Sequence, residues 1–125
     1  MGRKLTAILE VNGVMRTKVA DRILLDSVNE TFREVFSEEF SVAFYGYLER
    51  TFSIPRATIP ERLNEFQSAL TKIFGQSGGS VLARAIAKRL YLRVGLRFAE
   101  KPDYTLLQYV REAETSLEKS RVKSG

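Results

Sequence analysis

The chain has 125 residues, of which 44% are hydrophobic and 28% are charged, with a formal net charge of +5. This length and balance are typical of one globular domain and exclude wholesale disorder. The sequence contains no cysteine and no histidine, which excludes disulfides, Cys/His zinc sites and catalysis by a thiol or an imidazole. Catalysis by a carboxylate, a lysine or a tyrosine stays open on composition alone.

The apolar runs of the sequence are short. The run Ile23 to Leu25 is typical, whereas a helix that spans a membrane needs about 20 apolar residues. At the N-terminus, Glu10 and Asn12 interrupt any apolar segment of a signal peptide. We therefore expect a cytoplasmic protein that does not bind a membrane.

Residues 1–20 are predicted to form an N-terminal hairpin or arm. Asn12-Gly13 separates two short segments, 5–11 and 14–19, and this dipeptide favours the type I′ turn of a two-residue hairpin. The pairing would place apolar residues opposite basic ones, so neither face of the hairpin is cleanly apolar. A helix over residues 4–11 is the alternative.

From Asp21 onward, apolar residues recur at helical spacing. This pattern predicts a helical core over residues 22–118 and a flexible tail over residues 119–125. Ser37 either caps a second helix or lies within one continuous helix, and Ile54-Pro55 ends the helical pattern because a residue before proline disfavours helical geometry.

Two further segments complete the predicted bundle. Pro60 is predicted to be the first residue of a helix that Gly75 caps at its C-terminus. Residues 76–79 are then a loop, and Ser80 caps another helix that Gly95 ends. The turn 101–103 is predicted to provide the cap of the last helix. The fold class is therefore an all-α, compact bundle of four to five helices, with the N-terminal hairpin as a β appendage.

The glycine-rich segment 74–80 has two interpretations. Amides at the start of a helix can hold an anion. The segment lacks the Gly-Lys-Ser/Thr ending of a Walker A loop, however, and no strand is predicted before it. We interpret it as a cap, a loop and a second cap.

The predicted helix from Val81 to Arg97 is uniformly basic and is the strongest candidate binding site. Its charged side chains are Arg84, Lys88, Arg89, Arg93 and Arg97. Like charges one helical turn apart repel each other by a few tenths of a kcal/mol per pair, so an opposite charge is expected to compensate them.

That opposite charge has three candidate sources. The segment from Asp26 to Glu49 is strongly acidic, and it would pair with the basic helix inside the bundle or across a dimer interface. A second source is the surface of a partner protein. A third is the phosphate backbone of a nucleic acid, which arginine and lysine bind readily.

Two other patterns have simpler explanations. The aromatic residues between Phe32 and Phe74 have the spacing of core positions, with an apolar ligand pocket as the less favoured alternative. Glu30, Glu34 and Glu38 lie one turn apart and are interpreted as a solvated face rather than a cation site. We expect no metal and no cofactor.

Several short motifs in the central part of the chain suggest a family. They are Tyr47-Leu48-Glu49, Phe52-Ser53-Ile54, Ile59-Pro60, Phe66, Leu70, Ile73-Phe74-Gly75, Ile86 and Leu90. In this pattern, residues 25–110 resemble the Nitrosopumilus output domain family, a group of small archaeal helical domains. The resemblance implies an archaeal origin, a helical fold and an output role in signalling, and it carries over no catalytic residue.

The sequence therefore favours a non-enzymatic regulatory or protein-interaction module, whose partner is another protein or a second copy of the chain. Nucleic-acid binding by the basic helix is the alternative. Catalysis is the least favoured of the three hypotheses.

Overall fold

The computed structural model describes residues 18–124, and within that range the fold is all-α, as predicted. Its elements are α1 (Lys18–Val35), α2 (Glu38–Phe52), a 3-10 helix (Arg56–Glu61), α3 (Leu63–Arg93) and α4 (Leu106–Ser124). None of these described helices is long and apolar enough to cross a membrane.

The predicted N-terminal hairpin lies mostly outside the described residues. Its last two residues, Lys18 and Val19, belong to α1, so the second strand does not extend as far as predicted. The helical pattern assigned from Asp21 begins one turn earlier than expected.

At the junction between α1 and α2, Ser37 caps a second helix, which decides between the two predicted alternatives. The Ser37 hydroxyl oxygen accepts a hydrogen bond at 3.0 Å from the backbone N–H of Phe40. Glu38 and Glu39 occupy the first turn, where carboxylates interact favourably with the helix dipole. The same helix ends at Ser53, which takes left-handed backbone angles just before Ile54-Pro55.

Pro60 does not begin a helix of the bundle, contrary to the prediction. It lies within the 3-10 helix and is buried together with Ile59. The carbonyl of Pro55 accepts the N–H of Thr58 at 2.9 Å and starts this short turn. The turn places Ile59 in the core, and α3 begins only after it, at Leu63.

The glycine-rich segment is not a loop, which corrects the prediction for residues 76–79 and for Ser80 as a cap. Gly75 alone leaves helical geometry, with φ 85° and ψ 167°, and residues 76–93 continue as helix directly after it. The two halves of α3 meet in a sharp corner. A Cβ on Gly79 would lie 2.9 Å from the Cα of Thr71, so this glycine permits close contact between the halves.

The end of α3 is a Schellman motif. Gly95 has a positive φ of 77°. The N–H of Leu96 bonds the carbonyl of Tyr91 at 2.8 Å, and the N–H of Gly95 bonds that of Leu92 at 3.2 Å. Gly95 thus stops the helix as predicted.

The last helix starts at a different cap from the predicted one. Residues 101–104 form the expected turn, closed by a hydrogen bond from the N–H of Tyr104 to the carbonyl of Lys101. The cap is Thr105, however, which exchanges hydrogen bonds with Gln108 in a capping box. The helix then continues to Ser124, through most of the segment predicted as a tail.

α1 and α4 each pack against α3 and also contact each other, while α2 packs against α1. Contacts from Glu34 to Arg89 and from Glu30 to Arg93 show that α1 runs antiparallel to residues 76–93. The interior contains aliphatic and aromatic side chains, among them Leu24, Val28, Phe32, Phe44, Leu48, Phe66, Leu70, Ile86, Leu90, Leu106 and Tyr109. The core role predicted for the aromatic residues is thus confirmed for Phe32, Phe44 and Phe66.

Candidate functional site

Two residues of the predicted basic site are paired inside the molecule. The guanidinium of Arg93 lies 3.0 Å from a carboxylate oxygen of Glu30. Arg89 contacts Glu34 and lies 3.8 Å from Glu30. The contact with Arg93 is the largest cause that lowers the pKa of Glu30 below its ordinary value. For these two arginines, the predicted pairing with the acidic segment is what the structure shows.

A third residue of the predicted site pairs elsewhere. The Nε of Arg84 lies 2.6 Å from a carboxylate oxygen of Glu100, which belongs to the connection between α3 and α4. This pair holds the connection against the helix. Because the side chains are 40% and 62% exposed, the pair contributes little to stability.

Lys88 and Arg97 form no ion pair within residues 18–119, but they lie on different surfaces. Lys88 is exposed on the outward side of α3. Arg97 follows the Schellman motif, so it is not on the helix and does not continue the line of Arg89 and Arg93. The five basic residues therefore do not form one surface, because the helix ends before the fifth.

The outward face of α3 carries a line of side chains that no described helix covers. Val81, Ala85, Lys88 and Leu92 recur at the spacing of one helix face. Val81 is 56% exposed and Leu92 is 76% exposed. The paired Arg84 lies on one side of this line, and the paired Arg89 and Arg93 lie on the other. We call these four residues the α3 face.

A second feature, which the sequence pattern did not indicate, is a cleft of about 640 Å³ beside the end of α3. One wall is the connection between α3 and α4, and the other is one side of α4. It is lined by Tyr91, Leu96, Arg97, Ala99, Lys101, Tyr104, Gln108, Arg111, Glu112, Thr115, Ser116 and Lys119. We call it the α4 cleft.

A hydrogen-bonded network fixes the inner part of the α4 cleft. The buried Tyr91 hydroxyl donates to the carboxylate of Glu112, which also lies 3.3 Å from the Nζ of Lys101. The backbone of Lys101 is held in turn by Tyr109, whose hydroxyl accepts from the N–H and donates to the carbonyl. The ring of Tyr104 lies 4.7 Å from the same Nζ.

The pKa shifts of this network follow from these contacts. The hydrogen bond from Tyr91 is the largest cause that holds the pKa of Glu112 below its ordinary value, and Lys101 adds to it. Contact with that carboxylate raises the pKa of Lys101. Burial, together with the bond to Glu112, raises the pKa of Tyr91 far above its ordinary value. At neutral pH the network is therefore a neutral phenol, a carboxylate and an ammonium group.

No sequence signal within one element marked this network. Tyr91 and Glu112 are 21 residues apart and come together only through the turn at residues 94–105. In the sequence, residues 101–103 indicated only a turn. The available signal was the concentration of tyrosines and cations between residues 91 and 111, which the helical pattern alone did not join.

The remaining sequence candidates do not form sites within the described residues. The glycine-rich segment is part of α3, and Gly79 packs closely against Thr71 at the corner of that helix. Glu30 and Glu34, interpreted as a solvated face, are bound to arginines instead. No group of three potential metal ligands occurs among the residues that the structure describes.

Comparison with protein-family models, with curated proteins and with solved structures found no match to this chain. The resemblance to the Nitrosopumilus output domain family stays a prediction. The function proposed for this domain therefore rests on the geometry of the α3 face and the α4 cleft.

Proposed function

We propose that this domain is a non-enzymatic, regulatory protein-interaction module that binds a helix of a partner protein along the α3 face. The observation that carries this proposal is the exposure of Val81 and Leu92 on either side of Lys88 on one helix face. Leu92 is the most exposed large apolar side chain of the described residues. The lack of cysteine and histidine in the chain supports a binding role over a catalytic one.

The spacing of the α3 face suits a second helix. Side chains at positions i, i+4, i+7 and i+11 form a ridge that packs into the groove of another helix. Val81 and Leu92 supply the apolar contacts, and the small Ala85 allows a close approach. Lys88 lies between them and favours a partner helix with a carboxylate at the matching position.

The flanking arginines define the edges of this surface. Arg84 on one side and Arg89 and Arg93 on the other already hold carboxylates of the same chain. They would form a polar rim around an apolar centre, which is the usual anatomy of an interface. A regulatory role would follow if binding of the partner helix changes what the rest of the partner does.

The test is site-specific photo-crosslinking in cell extract, with a photoreactive residue at position 88 and a matched one at position 42. Val42 is 69% exposed on α2, so it controls for general stickiness. We expect position 88 to crosslink one defined protein through a helical peptide, and Leu92→Glu to abolish this product. Equal capture from position 42, or a product unchanged by Leu92→Glu, would contradict the proposal.

A second copy of the chain is one outcome of this experiment. If the partner is another copy, light scattering on the purified protein gives the mass of a dimer, and Leu92→Glu restores the monomer. A monomer at every concentration, at low and at high salt, assigns the α3 face to a different protein.

Nucleic-acid binding by the basic helix receives less support from the geometry. Arg84, Arg89 and Arg93 are in ion pairs, and Arg97 is on another surface. Of the five predicted basic residues, only Lys88 remains on α3 without an ion pair to a described residue, whereas a backbone contact of useful affinity needs several cations. A mobility shift at low salt that disappears in Lys88→Ala would favour this alternative instead.

A further inference from the structure

The α4 cleft has the size and composition of a site for a small ligand, and it is separate from the α3 face. Its volume of about 640 Å³ falls within the range of roughly 300–1,000 Å³ that small-molecule sites occupy. Both polar and apolar groups line it. Leu96 and Ala99 contribute apolar surface, and Tyr104 contributes a ring.

The charge in the α4 cleft is unbalanced. Among the described residues of its lining, Arg97, Lys101, Arg111 and Lys119 are cations and Glu112 is the one carboxylate. That carboxylate is already held by Tyr91 and Lys101. Three cations are therefore left in the lining with no ion pair to any residue among 18–119.

These three cations come from both walls of the cleft. Arg111 and Lys119 lie two turns apart on α4, and Arg97 belongs to the connection that forms the opposite wall. Like charges that face each other across a cleft repel, and an anion between them removes the repulsion. The cleft thus presents a binding position for negative charge that the described chain does not fill.

The donors around the cleft favour phosphate as the anion. Arginine matches phosphate with two parallel N–H donors, and two arginines with a lysine suit a dianion. Gln108 adds a donor, because its carbonyl oxygen is engaged by Thr105 and its NH₂ group is left for a ligand. Ser116 adds a hydroxyl.

We propose that the α4 cleft binds a small phosphorylated molecule, with its phosphate between Arg97 and Arg111 and its organic part against Leu96 and Tyr104. The presence of cations on both walls of the cleft supports the binding of a phosphate group. The apolar lining and the volume support an organic part of the ligand, since a phosphate ion alone would leave most of the cleft unfilled.

The experiment is an NMR titration of amide shifts in the 125-residue chain, with 5′-AMP as the organic phosphate probe. Adenosine and inorganic phosphate are titrated separately. We expect saturable shifts in residues 96–101 and 108–116 with 5′-AMP, no saturation with adenosine, and weaker binding of phosphate alone. Arg97→Ala and Arg111→Ala should each weaken 5′-AMP binding about tenfold or more.

The matched control is Arg50→Ala, which removes the same charge from an exposed position on α2, outside the cleft. Binding unchanged in Arg50→Ala supports the proposal, and an equal loss there reduces it to general charge attraction and overturns it. Arg111→Lys, which keeps the charge, should recover part of the affinity. Saturable binding of adenosine would contradict recognition of the phosphate. Equal affinity for phosphate and 5′-AMP would contradict recognition of the organic part.

Discussion

The hydroxyl of Tyr91 connects two elements through a single hydrogen bond. Tyr91 is 3% exposed and donates to Glu112 of α4. Tyr91→Phe keeps the ring and removes the bond, so we expect the free energy of unfolding to fall by about 1–2 kcal/mol at pH 7. Urea denaturation of the two proteins measures this difference, and an unchanged midpoint would show that the bond adds nothing.

The same bond gives the effect of Tyr91→Phe a pH dependence. The pKa of Glu112 is lowered in the folded protein from its ordinary value of 4.5. Stabilisation of the carboxylate is therefore fully present above that value and is lost as the pH falls through the folded pKa. We expect the stability gap between wild type and Tyr91→Phe to narrow below about pH 4. A stability gap that is constant from pH 7 to pH 3 would show that the charge of Glu112 does not contribute to the effect of Tyr91→Phe.

Residue-scale features were predictable where the cause is local. Ser37 and Gly95 act through hydrogen bonds to residues within five positions of them, so the residue type and its neighbours suffice. Thr105 and Gln108 are also local, but the nearby Pro102-Asp103 favoured an earlier cap. The contact between Tyr91 and Glu112 depends on the path of the whole connection, and no local pattern contains it.

At the scale of elements, the close contact between the two halves of α3 depends on Gly79. A Cβ on Gly79 would meet backbone and side-chain atoms of Thr71 at 2.9 Å. The backbone cannot move aside cheaply, so we expect Gly79→Ala to lower the free energy of unfolding by about 2–3 kcal/mol. Thermal and urea denaturation measure this loss.

Gly46 on α2 provides the matched control for this substitution. Its Cβ would lie 3.0 Å from the Nη1 of Arg50, the far end of a flexible side chain that can turn away. Since alanine is the better helix former, Gly46→Ala should be neutral or stabilising, by up to about 1 kcal/mol. Equal losses in both variants would mean that contact with Thr71 is not the cause.

The helical segments could largely be predicted from the sequence, whereas the structural roles of Gly75 and Gly79 could not. Apolar residues at helical spacing located the helical segments of the core, because burial of one face is what stabilises each of them. The cluster around Gly78 has the composition of a loop. In the folded chain only Gly75 departs from helical angles, and Gly79 serves a close helix contact, which is a tertiary demand.

At the scale of the whole molecule, acidic side chains of α1 form ion pairs with basic side chains of α3. The sequence predicted this pairing as one of three possibilities, and only the antiparallel packing of the two helices decides it for Arg89 and Arg93. The α4 cleft could not be predicted in the same way. Its cations come from the connection and from α4, and no periodicity relates them.

Removal of the two glutamates of α1 should therefore expose a basic surface that the wild-type protein conceals. In Glu30→Gln with Glu34→Gln, the ion pairs of Arg89 and Arg93 are lost. The stability cost is small, below about 1 kcal/mol per pair, because the carboxylates are 41% and 63% exposed. The freed guanidinium groups are then available to polyanions, so we expect the variant to elute from a heparin column at higher salt.

The control for this variant carries the same change in net charge at positions without an ion pair in the described region. Glu39→Gln with Glu49→Gln neutralises two exposed carboxylates of α2. Retention on heparin that rises equally in both double variants would show a simple effect of total charge. Retention that rises mainly in the α1 variant shows that α1 screens the basic helix, because only there does the loss of a carboxylate uncover an adjacent arginine.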